Sequence, residues 1–177
     1  VNPLIDITTF DIQTQNYTMS VVHDEGAKEG DDAIRVLSND GLEVIIDLTV
    51  LYRVLPNEAP KILKGIGENY TDKIVRPVTR TRIRDNAVYY DAVALYSTKR
   101  AEFQQRIFKT IEADFKSRGL VLEQLLIRNI NLPTSVKTTI ESKINAEQEA
   151  QKMIFVLQKE KQEAERKRVE AQGIADY

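Results

Sequence analysis

The sequence predicts an α+β fold: a twisted, mainly antiparallel sheet packed on helices, followed by a long projecting helix. Three observations carry that expectation. Apolar residues alternate with period two up to Val54 and again from Leu120, the spacing of half-buried strands. Between Pro56 and Arg118 the apolar spacing becomes helical. From Pro133 a charged helical pattern runs to Tyr177 with no internal proline to break it.

The elements follow in chain order. From Leu4 to Val22, Ile5 and Ile7 share one parity, Phe10 and Ile12 the other, and Tyr17, Met19 and Val21 continue the alternation, which predicts two strands. His23 to Asp32 is acidic, carries Gly26 and Gly30 and has no apolar period, so it is expected to be a loop. Residues 33–37 and 42–54 are rich in β-formers and flank Ser38-Asn39-Asp40-Gly41, where Asn, Asp and Gly suit the positive φ of a tight hairpin. A short helix to Gly65 and a second from Tyr70 to Val88 come next. A longer helix from about Ser97 to Arg118 repeats Phe103, Ile107, Ile111 and Phe115 every fourth residue, and Gly119 ends it at C′. Leu120 to Ile130 returns to strand spacing. These boundaries predict a domain over residues 1–132 and a helix over 133–177.

Composition limits the chemistry. Apolar residues make up 42% of 177, enough for a real core, and charged residues at 29% nearly cancel to −2. That balance gives no global attraction to nucleic acid or anionic lipid. Without cysteine there is no disulfide, thiolate zinc site or cysteine nucleophile. His23 is the single histidine, no G-x-S-x-G accompanies it, and no multi-histidine metal centre can form. Asp24, Asp31 and Asp32 offer hard oxygens, but the ordered ligands and closing Glu of a calcium loop are missing, so a solvated loop is expected. Glu43 and Asp47 sit at solvent-facing positions of their strand, not as an acid–base pair. Gly65-Ile66-Gly67 lacks the rest of a phosphate-binding motif and follows a helix, which makes it a helix terminator. No enzyme activity and no cofactor are expected. No apolar run reaches the length of a membrane span. The opening Val1-Asn2-Pro3 suggests a trimmed, soluble fragment, so membrane attachment is expected upstream.

Two surfaces are candidates for binding. Arg76, Arg80, Arg82 and Arg84 form a basic cluster, read as pairing with acidic residues of this or a neighbouring subunit, or as facing lipid; nucleic acid is not expected. Tyr89, Tyr90 and Tyr96 are expected in core and capping contacts. In the final helix basic and acidic residues interleave, and Glu163 and Lys167 are spaced for an i, i+4 pair. A heptad frame places Ala150, Leu157, Ala164 and Ala171 at d, and Ile154, Lys161, Arg168 and Ala175 at a, an alanine-rich seam expected to contact another subunit.

Several strings, in order, resemble the SPFH domain of stomatins, prohibitins and flotillins. Asn39-Asp40-Gly41 and the run ending Leu51-Tyr52-Arg53-Val54 are similar to the family's central hairpin. Pro77 to Arg84, with Arg80 and Arg84, looks like its arginine-bearing helix, and Ile127 to Pro133 resembles its last strand and exit. Ala146-Glu147-Gln148-Glu149-Ala150, Gln162 to Arg166 and Glu170 to Gly173 resemble prohibitin-type members, although Gln172 stands where the family often has Glu. The resemblance implies a non-enzymatic, membrane-associated scaffold that self-assembles, alone or with a paralogue, into rings or cages. It also implies that the scaffold organises membrane microdomains and restrains membrane-bound AAA+ proteases. The membrane would be a bacterial, archaeal or organellar inner one, reached through an N-terminal anchor that this chain lacks. The competing expectation is a monomeric lipid-binding or adaptor module.

Overall fold

The computed structural model describes residues 7–22, 26–28 and 30–175. The chain divides into two compact units, Val1–Pro133 and Thr134–Tyr177. In the first, strands β1 (Gln15–Met19), β2 (Ile34–Leu37), β3 (Glu43–Val54) and β4 (Leu120–Asn131) make one antiparallel sheet. Helices α1 (Ala59–Gly65), α2 (Arg76–Ala87), α3 (Ala92–Tyr96) and α4 (Arg100–Lys116) separate β3 from β4. The second unit contains helix α5 (Thr134–Ala175), 42 residues and about 63 Å long at about 1.5 Å per residue.

β3 organises the sheet. Its first residues pair with β2 and its later ones with β1, so these two short strands lie end to end along one edge. β4 takes the whole of the other edge. Every even residue of β3 from Val44 to Val54 is buried, because period-two alternation sends all six to one face. The stripe Phe103, Ile107, Ile111 and Phe115 on α4 is wholly buried, as its four-residue spacing requires. Tyr52 sits edge-on to Phe115 at 6.3 Å and to Tyr70 at 6.4 Å, which joins β3, α4 and the entry to α2 in one core. A π-helical turn, Thr71–Val75, runs directly into α2.

Some expectations are corrected. Only one strand forms among the described residues before the acidic loop; Ile7 and Ile12 are 74% and 50% exposed. Leu4 and Ile5 of the other expected strand lie outside the described residues, as do His23, Asp24, Glu25 and Glu29 of the loop. In the β2–β3 connection only Gly41 has positive φ, at 76°. Asp40 contributes through its carboxylate, which accepts the Ser38 hydroxyl and the Ala92 N–H, and these bonds, the Ser38 one foremost, lower its pKa. Residues 92–96, expected to lie before the long helix, form α3, and α4 begins at Arg100. Asp47 is 5% exposed, not solvent-facing, because the chain leaving β1 covers it and donates the Val21 N–H to its carboxylate at 3.0 Å. Gly67, at φ 93°, ends the turn after α1, with its N–H on the Ile62 carbonyl.

Candidate assembly interface

The four arginines of α2 do not share one surface. Arg76 and Arg80 are one turn apart, and both guanidinia close on the Asp32 carboxylate just before β2. Tyr17 donates its hydroxyl to the same carboxylate at 3.3 Å. Burial opposes the charge on Asp32, yet the Arg76 hydrogen bond and the two arginine charges outweigh it and hold the pKa below the ordinary value. The Tyr17 phenol is pushed up to about 12, by burial first and by the Asp32 charge second. Arg82, on another side of the helix, bonds Asp114 of α4 and lies 3.5 Å from Asp85. The Arg82 hydrogen bond lowers the Asp114 pKa. Arg84 is exposed and has no ion-pair partner among the described residues. Three of the four therefore fasten α2 to the loop before β2 and to α4.

Several other polar groups are committed within the fold. Asp31 pairs with Arg35 and accepts the Ala33 N–H, and Asp32 is taken by arginines, so both of these carboxylates are engaged by neighbouring residues. Among the described residues no cluster of His, Cys, Asp or Glu is placed to hold a metal ion. Tyr52 bonds Thr71, and Tyr70 bonds Gln15, beside a shallow polar depression open to solvent. Tyr90 is buried edge-on to Phe103 and reaches Glu102, whereas Tyr89 is exposed with the Arg106 guanidinium 4.3 Å above its ring. No described helix is long and apolar enough to cross a membrane.

On α5 the seam residues Ala150, Ile154, Leu157, Lys161, Ala164, Arg168 and Ala171 are all exposed; the side chain of Ala175 lies outside the described residues. Glu163 pairs backward with Lys159, 4.0 Å away. The heptad frame passes over Met153, Phe155 and Val156, which with Ile154 and Leu157 make five consecutive large apolar side chains, 43–71% exposed. Five residues exceed one helical turn, so this run is a girdle around the helix and not a stripe along it. An unbroken Met-Ile-Phe-Val-Leu between charged stretches is the sequence signal that periodicity alone does not weigh.

The sequence is similar to those of known proteins. The model of the family described as "SPFH domain / Band 7 family" matches residues 1–168. Prohibitin 1 of Drosophila melanogaster is 27% identical over 139 residues, 78% of this chain and 50% of that protein. Prohibitin-2 of Mus musculus is 28% identical over 139 residues, 78% and 46% of the two. The Arabidopsis thaliana protein named "Prohibitin-1, mitochondrial" is 28% identical over 138 residues, 78% and 48%. The chain thus spans about half the length of the curated relatives it matches.

Proposed function

Because the chain belongs to the SPFH domain / Band 7 family, we propose that it is part of a non-enzymatic membrane scaffold that assembles with copies of itself or with a paralogue. The observation that carries this reading is the exposed girdle Met153–Leu157 on α5. Apolar side chains of this size cost free energy in water, and a contiguous exposed group of them marks an interaction surface. A two-stranded coiled coil would cover Ile154 and Leu157 and leave Phe155 wet, so the girdle asks for neighbours on more than one side. Rings or cages of side-by-side helices meet that demand. The resemblance to prohibitins supports a membrane location, through a segment outside this chain, and a role in organising membrane patches and restraining membrane-bound AAA+ proteases.

The test is Leu157→Glu, since Leu157 is 58% exposed and its loss removes little from the chain's own packing. The melting temperature of the chain should stay nearly unchanged, while particles formed by the longer membrane-attached protein shrink on sizing. Intact large particles would show that copies meet elsewhere. A large fall in melting temperature would show that α5 belongs to a core.

A further inference from the structure

Among the described residues β4 has a strand partner on one side only. Along Leu120–Asn131 it pairs with β3, and among the described residues no strand pairs with its other edge. The end of that edge is closed by Arg100, whose guanidinium donates to the carbonyls of Ile127 at 2.7 Å and Arg128 at 3.2 Å. Among the described residues no side chain closes the stretch from Leu120 to Leu126 in this way. Two clefts, of about 340 and 150 Å³, open where α4 runs beside it; Phe108 lines one, Leu122 lines the other, and Lys109 and Lys116 stand at their rims. The register shift opposite Leu51 and Tyr52 makes Glu123 the extra residue of a bulge. Its carboxylate lies 3.0 Å from Arg53 and accepts the Thr14 hydroxyl, while Leu122 and Leu125 on either side stay buried. An open strand edge beside a helix, with apolar clefts between them, is the geometry that takes up an extended segment as an added strand.

This chain carries such a segment. Residues 5–8 alternate apolar and polar in sequence, Ile5 and Ile7 against Asp6 and Thr8, yet residues 7–14 belong to no strand and Ile7 is 74% exposed. The segment is fastened at the opposite edge of the sheet, where Phe10 stacks on Tyr70 at 5.8 Å and Gln15 bonds the Asp11 carbonyl. Ile7 stands three residues before Phe10, a reach of roughly 10 Å. That distance is used up by the two strand spacings, about 10 Å, between β1 and β4, before any wrapping around the edge. Ile7 therefore cannot lie along the outer edge of its own β4.

We infer that the N-terminal segment around Ile5 and Ile7 of one copy adds as a strand to the Leu120–Leu126 edge of a second copy, with its apolar side in the clefts between β4 and α4. The contact rests on the self-assembly reading only in needing a second copy, and it does not involve the α5 girdle. The cysteine-free chain makes the test clean. Two differently tagged single variants, Ile7→Cys and Lys109→Cys, are mixed and oxidised. A disulfide-linked heterodimer is expected as the main product, retained when Leu157→Glu is added to both and lost when Phe108→Arg blocks the cleft. No heterodimer beyond that given by Leu63→Cys in place of Ile7→Cys, or a disulfide closing within one chain of the double variant, overturns the inference. So does loss of the cross-link in the Leu157→Glu background, which would assign the contact to α5. Should Phe108→Arg not fold, a synthetic peptide of residues 1–9 is added to the unaltered chain. It is expected to slow amide exchange along Leu120–Leu126, and its Ile7→Asp form to have no effect; equal exchange with both overturns the inference.

Discussion

At Asp32 two guanidinia and a phenol converge on a carboxylate that is 4% exposed. Removing its charge leaves two arginines partly buried without a counter-ion. Asp32→Asn should therefore cost about 2–3 kcal/mol in chemical denaturation, less than for a fully buried pair because both guanidinia keep some water. The folded pKa of Asp32 lies below its ordinary value, so its contribution is complete above the unfolded Asp value of about 3.9 and is lost as pH falls through the folded one. Melting temperature should drop on acidification below about pH 4, and Asp32→Asn should flatten part of that drop. Tyr17 works in the opposite sense: its pKa is raised from 10.0 to about 12, so its contribution is present below pH 10 and lost as pH rises toward 12. The arginine spacing was visible in the sequence as a cluster, but not the division between Asp32 and Asp114. Both acids are far from α2 in the chain, and only packing brings them to it.

Among the elements, the turns discriminate most sharply. Gly119 joins α4 to β4 at φ 82°, and a Cβ there would stand 2.5 Å from Glu58 Cβ. Gly41 at φ 76° has open space around it. Gly41→Ala should therefore cost only the left-handed backbone strain, about 1 kcal/mol, whereas Gly119→Ala adds a clash with the residue before α1 and should cost at least about twice that. Urea unfolding of the two variants checks the ranking; equal losses would mean that Glu58 yields freely. The α4 stripe, the hairpin and the start of α5 were legible because each rests on local spacing or a local turn residue. The alternation before β1 was equally clear, but a strand exists only where an edge accepts it, and β1 and β2 already fill that side of β3.

For the molecule as a whole, association of this chain alone should be weak. The surfaces identified for it among the described residues are a short girdle and one strand edge, and the rest of the α5 seam carries alanines and basic residues where a stable coiled coil has leucines. Attachment to a membrane confines copies to two dimensions and raises their effective concentration. Sedimentation of the chain should show mostly monomer with small oligomers, and the same chain tethered to vesicles should form larger particles. A tight assembly of the free chain at micromolar concentration would contradict this.

The sequence by itself determined the α+β class, the core faces of β3 and α4, the length of the final helix and the family resemblance. All of these follow from local periodicity, helix and turn chemistry, or ordered strings. Tertiary structure alone decided that Asp32 and Asp114 divide the arginines, that Asp47 is buried under the chain leaving β1, and that β4 keeps an open edge beside α4. Each of these depends on which distant segments meet, and burial, charge pairing and strand partnership are properties of that meeting and not of any one stretch of chain.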